Sequence, residues 1–255
     1  VLKELKKYNP QESYIYLGDT LHVPYGNRSD EAVYELTQKA CAFLFKRGCR
    51  LVIIACNTAT AKALRRLQQN YLPKINSPKK PLNILGVIRP VAEFVAQKSS
   101  GRVGILGTRG TVNSQAYVVE LKHQKKTLEV FQQAAPLLVP LIEEGWLKSA
   151  EIDSILEKYL VVLKKKKVDT LILGCTHYPV ILKKIRTQLS RKCFVPNPGE
   201  IVAVSLRDYL KRHPEYSFPT KKALTKYYVT DLSENFKEIA EQFLKEKINI
   251  KKIEL

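Results

Sequence analysis

Apolar runs of strand length alternate with stretches of helical period, and this predicts an α/β fold on a mainly parallel sheet. Two matched segments predict that the unit occurs twice: LVIIACNTAT at 51–60 and TLILGCTHYP at 170–179. Each is an apolar run that ends in a cysteine followed by residues bearing hydroxyl or amide groups. The chain's 255 residues allow one large or two modest domains. The expected architecture is therefore a pair of doubly wound βαβαβ halves.

The elements follow in order from local chemistry. Residues 1–7 read as a helix and 14–17 as a strand ending in the loop GDTLHVPYGNRSD. Ser29 or Asp30 can cap a helix over 31–46 that Gly48 stops. A strand over 51–55 and a helix over 59–69 come next, then a Pro/Lys/Asn-rich connection at 72–81 and a strand over 84–88. The second cycle has a strand at 102–106, a GTRGT turn, a helix at 113–124, a strand at 128–132 and a helix at 150–165. A strand over 170–173 precedes a helix opened by Pro179, a residue suited to a first helical position. Beyond residue 200 the pattern predicts helices at 201–211 and 233–245 around a strand at 224–229.

Comparing the halves exposes a gap. The second half opens on a strand ending at Gly107; stepping back from Cys56 by the interval between Gly107 and Cys175 lands before Val1. The first strand of the first half is thus expected to lie outside this sequence, in a longer natural protein. The absence of methionine points the same way.

Composition narrows the function classes. The apolar strands are far shorter than the roughly 18 residues a membrane helix requires, so no membrane role is expected. The charged amphipathic start is no secretory signal. Five cysteines (Cys41, Cys49, Cys56, Cys175, Cys193) without regular spacing fit a reducing, cytoplasmic setting better than a disulfide framework. The net charge of +19 raises the question of nucleic acid. Residues 61–130 hold 13 Lys/Arg against 3 Asp/Glu, yet no zinc-finger, helix-turn-helix or RNP pattern accompanies them. A lysine-rich solvated surface is the simpler reading, and nucleic acid is not the expected partner.

Ligands of open α/β sheets bind at the carboxyl ends of strands, where Cys56 and Cys175 both fall. A helix start beside each thiol is expected to lower its pKa toward neutrality, so that either could trade a proton. Two matched bases suit the inversion of a carbon stereocentre, in which one face loses a proton and the other gains one. Asn57, Thr58 and Thr176 offer amide, hydroxyl and backbone N–H groups suited to an amino acid's carboxylate and ammonium. His177 can polarise or deprotonate the adjacent thiol, or hold a carboxylate when protonated. The turn at Tyr25 and Gly26 allows close backbone approach to a ligand. Thr108 and Thr111 sit in a loop that opens a helix and can offer hydroxyls, while Glu143 and Glu144 are either surface charges or reach the cleft. No CxxC spacing, Schiff-base lysine or nucleotide fingerprint is present, so neither metal nor organic cofactor is indicated.

The set YLGDTLHVPYG, LVIIACNTAT, GVIRP, VGILGTRGTVNSQAY, VPLIEEG and LILGCTHYP resembles the glutamate racemases of the aspartate/glutamate racemase superfamily, in order from about residue 16 to 179. ACNTA and GCTHYP at this separation carry most of its specificity. The resemblance implies cofactor-independent two-base racemisation of L- and D-glutamate, supplying D-glutamate for peptidoglycan. It implies that Cys56 and Cys175 are the opposed acid/base pair, assisted by His177. Tyr25, Gly26, Asn57, Thr58, Thr176 and His177 would contact substrate, and Thr111 and Glu143 would line or gate the pocket. It further implies two pseudo-symmetric lobes facing a central cleft, residues 1–97 plus 205–255 and residues 98–204, with a homodimer among the allowed states. The family's opening strand carries an Asp-Ser-Gly turn whose aspartate assists the first cysteine; it matches the strand found absent above, so activity of these 255 residues alone is a separate question. The rival readings are an aspartate racemase, which usually has an acidic residue in place of His177, an inactive basic derivative that binds nucleic acid, and a thiol redox protein.

Overall fold

The computed structural model describes residues 1–232, 234–244 and 246–255. In chain order the first elements are α1 (Leu2–Tyr8), β1 (Tyr14–Gly18), α2 (Asp30–Lys46), β2 (Leu51–Ile54), α3 (Asn57–Arg66), α4 (Leu72–Ile75), β3 (Asn83–Gly86) and α5 (Ile88–Lys98). The second cycle has β4 (Arg102–Gly107), α6 (Arg109–Asn113), α7 (Ala116–Gln124), β5 (Glu129–Ala134), α8 (Leu138–Glu143), α9 (Ala150–Lys165), β6 (Thr170–Gly174) and α10 (Leu182–Gln188). Last come α11 (Pro198–Arg212), β7 (Thr225–Val229), α12 (Glu234–Leu244) and β8 (Ile250–Lys252).

Every pairing between these strands is parallel, in three sheets ordered β1-β7-β8, β2-β3 and β5-β4-β6. Parallel neighbours require crossover helices, which cover the sheet faces and leave strands buried on both sides. β6 is buried along its whole length. The C-terminal strand β7 pairs with β1 near the other end of the chain.

Caps fix several helices where the sequence places them. Ser29 Oγ accepts from the Ala32 N–H at 3.2 Å to start α2, and Gly48 takes φ of 91° just past its end. Ser149 starts α9 in the same manner, and its buried stripe Ile152, Leu156, Leu160 and Leu163 has helical spacing. At the start of the chain, Tyr14 Oη donates to the carbonyls of Leu5 and Asn9, and Asn9 Nδ2 donates to that of Ala203, tying α1 to α11.

The structure differs from the sequence expectations at several points. The strand expected over 84–88 ends at Gly86, and Ile88 opens α5, which had no counterpart among the expected elements. Its buried residues Ile88, Val91, Ala92, Val95 and Ala96 follow the i, i+3, i+4, i+7, i+8 pattern, so the signal was present but masked by the apolar run before it. GTRGT is a turn plus the short helix α6, capped by Thr108. The helix expected from 59 starts at Asn57, which makes Cys56 its N-cap, and passes at Leu67–Tyr71 into a π turn. The helix expected from Pro179 is a 3-10 turn, Tyr178–Ile181, before α10. Helix α4, within the connection expected over 72–81, helix α8 and strand β8 are additional. The ends of the helix expected over 233–245 lie outside the described residues.

One core cluster gathers α8, α9 and β6 around Leu106, Leu156 and Leu173. A second brings Val91 and Val95 of α5 and Val202 of α11 against Val103, Ile105, Tyr117 and Ile172. Because it draws on both parts of the chain, the two cycles share apolar contact rather than a solvated linker.

Candidate active site

The polar groups of the site sit at the carboxyl ends of parallel strands, where the strands stop and loops turn toward the next helix. Asp19 follows β1, Cys56 follows β2, Thr108 follows β4, Cys175 follows β6 and Thr230 follows β7. The site is thus assembled from segments more than 200 residues apart.

Cys56 caps α3, its Sγ accepting from the Ala59 N–H at 3.5 Å. Burial pushes its thiol up to about 11, with help from the charge of Cys175 and against the Ala59 and Thr58 donors. The expected lowering of this pKa is therefore reversed: removing solvent from a thiolate outweighs a helix start.

Cys175 is buried, and His177 Nδ1 lies 3.7 Å from its Sγ. The other ring nitrogen, Nε2, is 3.1 Å from Glu143 Oε1. Burial works against a charged ring, but the hydrogen bonds and charges of Cys175 and Glu143 prevail and hold His177 at about 10. It is an imidazolium at neutral pH, bridging a sulfur and a carboxylate. Glu143 thus reaches His177, two residues after Cys175.

Near the ends of β1, β4 and β7 lies a lattice of short contacts. Tyr25 Oη donates to Asp19 Oδ2 at 2.6 Å; Asp19 Oδ1 also takes His22 Nδ1 at 2.7 Å and the Thr230 hydroxyl at 2.8 Å. Burial first, then Asp19 and the nearby Cys56, raise the Tyr25 pKa far beyond the usual phenol range. Thr58 Oγ1 lies 2.8 Å from Thr108 Oγ1 and 3.3 Å from Thr111 Oγ1. Glycines permit this approach: a Cβ on Gly26 would stand 2.9 Å from Thr108 Cβ, and one on Gly110 would stand 3.0 Å from the Gly26 carbonyl oxygen.

The sequence-predicted residues therefore fall into groups. Tyr25, Gly26, Cys56, Asn57 and Thr58 gather near the ends of β1 and β2, and Glu143, Cys175 and His177 gather near the end of β6. Thr111 is fully buried, its hydroxyl held by Thr58 and Thr108, while Thr176 is exposed on the turn after Cys175. Sequence reasoning missed Asp19, although its place after β1 satisfies the strand-end rule. It also missed Tyr117, a helical residue whose hydroxyl donates to Asn57 Oδ1 at 2.8 Å.

Among the described residues no group of three or more His, Cys, Asp or Glu could hold a metal ion. Among the described residues no helix is long and apolar enough to cross a membrane. Within the basic 61–130 segment, Lys62 pairs with Asp30, Arg66 with Glu31, Arg89 with Glu93 and Arg102 with Glu129, so part of its charge is neutralised in place.

With this geometry in hand, comparison with known proteins is informative. The family described as Asp/Glu/hydantoin racemase matches residues 2–203. The chain belongs to that family. A glutamate racemase from Geobacter metallireducens is 38% identical over 246 residues, spanning 96% of this chain and 87% of that protein. The glutamate racemase isoform RacE1 of Bacillus anthracis superposes with a TM-score of 0.91 at 29% identity, covering 100% of this chain and 92% of that one. The Francisella tularensis glutamate racemase, solved with D-glutamate, gives 0.88 at 28% identity, covering 99% and 92%. The α/β architecture with parallel sheets is that of the family.

Proposed function

We propose that this chain interconverts L- and D-glutamate without a cofactor, with Cys56 and Cys175 as the two bases. The observation that carries the reading is the placement of Cys56 and Cys175 at the carboxyl ends of β2 and β6, linked through Tyr117, whose hydroxyl bonds Asn57 and whose ring lies against Gly174, with the His177–Glu143 pair beside Cys175. The named relatives support glutamate as the substrate.

The chemistry follows from the protonation states. Cys56, pushed up to about 11, is a thiol at neutral pH and so a proton donor. The Cys175 Sγ lies 3.7 Å from Nδ1 of the His177 ring, which places a cation beside it. In one direction the Cys175 thiolate takes the Cα proton and the Cys56 thiol delivers its own to the opposite face. The product is the other enantiomer, a Cys175 thiol and a Cys56 thiolate. That second state catalyses the reverse direction, and exchange with water resets the pair. Asn57, Thr58 and Thr176 supply donors for the substrate carboxylate, and Tyr25 and Gly26 close the wall beside Cys56. Thr111 acts from beneath, through the Thr58 hydroxyl.

The proposal includes two lobes, residues 1–97 plus 205–255 and residues 98–204, supported by the β1-β7 pairing and by the three-stranded sheet within 102–174. The boundary at 204/205 falls inside α11, so this helix would be the physical joint between them. Five free cysteines support a cytoplasmic setting, and D-glutamate for peptidoglycan is the proposed use of the product.

The test is incubation with L-glutamate in deuterium oxide, following Cα deuteration and circular dichroism. Cys56→Ser and Cys175→Ser should each abolish racemisation, while Cys193→Ser, half-buried away from the cleft, should not. Equal activity in all three variants overturns the assignment.

A further inference from the structure

Tyr117 is among the largest side chains with no solvent exposure. Its ring lies against the strand end that carries Cys175, since a Cβ built on Gly174 would stand 3.4 Å from Tyr117 Cε2. Its hydroxyl reaches the other half of the site and donates to Oδ1 of Asn57, the residue after Cys56. One rigid side chain therefore runs from beneath one sulfur to the amide beside the other.

The hydroxyl also decides which way that amide points. A buried phenol proton without an acceptor is costly, and among the described residues Asn57 Oδ1 is the acceptor it has. Turning the amide over would set Nδ2 against the hydroxyl and leave the phenol proton unpaired. With Oδ1 committed to Tyr117, the Nδ2 donors of Asn57 reach no acceptor among the described residues, yet Nδ2 is not among the buried atoms left unpartnered. Asn57 as a whole is 5% exposed, so this donor sits at a nearly closed point beside Cys56.

We propose that Tyr117 is a positioning residue for the racemisation: its hydroxyl locks the Asn57 amide with Nδ2 turned toward an anionic oxygen of the substrate, and its ring registers that amide to the strand end bearing Cys175. This rests on the two-cysteine reading above. When Cα loses its proton, negative charge spreads onto the carboxylate, and a donor already oriented there gains strength in the transition state. A released amide can instead present Oδ1, which repels the same oxygen. Loss of the lock should therefore fall on kcat more than on KM.

The experiment compares wild type, Tyr117→Phe, Asn57→Ala and the double variant in both reaction directions, with thermal melts. Tyr117→Phe keeps the ring and should lower kcat by roughly ten- to a hundredfold with a smaller change in KM. On the Asn57→Ala background the same change should alter kcat by less than about twofold. An equal loss in both backgrounds means that Tyr117 acts by packing and overturns the proposal, as does full activity in Tyr117→Phe. If the wild type neither racemises nor binds glutamate, the functional reading fails on its own. Positioning is then decided by the Asn57 side-chain amide resonance, assigned through its loss in Asn57→Ala. That signal should shift or broaden in Tyr117→Phe, and an unchanged signal overturns the proposal.

Discussion

Replacing Gly110 with alanine places a methyl group where three separate elements already meet. Its Cβ would stand 2.9 Å from Thr58 Cγ2, 3.0 Å from the Gly26 carbonyl oxygen and 3.2 Å from Lys62 Cε. No single rotamer change relieves these contacts: the first belongs to a short side chain, the second to backbone. The third belongs to a lysine whose Nζ is held by the Arg28 carbonyl and Asp30. Relief requires α6 to back away from α3 by a few tenths of an ångström. Overpacking of this kind costs about 1–3 kcal/mol. For a chain of this size that lowers Tm by roughly 2–10 °C. The displacement also strains the Thr58–Thr108 hydroxyl contact and moves Asn57, next to Thr58 on α3, relative to Cys175. A misplacement approaching 1 Å is worth up to about a hundredfold in rate, so a loss of roughly ten- to a hundredfold in kcat is expected. Cα deuteration and circular dichroism read the rate, and calorimetry reads Tm. Wild-type rate and wild-type Tm in Gly110→Ala would refute the claim that α6 packs tightly against α3 and the Gly26 turn here.

Other expectations follow from the same geometry. Glu143→Gln removes one of the charges that hold His177 at about 10, so the alkaline limb of the kcat/KM profile should move down by about one to two pH units. The sign is that of a raised histidine: its stabilisation is complete below the unfolded value of about 6.5 and fades as pH rises through about 10, so wild type should lose more stability than Glu143→Gln between pH 7 and 10. An unmoved limb in Glu143→Gln would exclude the His177–Glu143 pairing. The Asp169 carboxylate accepts from Ser99, Ser100 and Thr170 hydroxyls and from the Gly101 and Arg102 N–H groups. Burial tends to raise its pKa, but these donors prevail and lower it. Asp169→Asn should cost about 1–3 kcal/mol in denaturant melts at pH 7. In wild type this contribution is present above about pH 3.9 and disappears as pH falls through the lower folded value. Ser149→Ala removes the cap of α9 and should cost about 1 kcal/mol, read as a shift in urea midpoint with unchanged slope.

Some of this was legible in the residue order because it depends on near neighbours along the chain. The cap at Ser29, the helical span of α9 and the strands that end in Cys56 and Cys175 all arise from local hydrogen bonds or short periodic patterns. The strand-end rule then put each sulfur at the carboxyl end of its strand. Where two local signals overlapped, as at Val87–Ile88, the apolar run read as strand hid the start of α5.

What the sequence by itself determined is thus the α/β class, the duplicated strand–cysteine segment and the inventory of proton-carrying groups, each set by short-range chemistry. Only the tertiary structure decided the protonation of those groups. Burial lifts Cys56 where the helix start alone would lower it, and Glu143, from another element, keeps His177 charged. The Tyr117–Asn57 bond likewise exists because β2 and β6 end near one another, and desolvation and cross-chain contact depend on that arrangement rather than on neighbours in sequence.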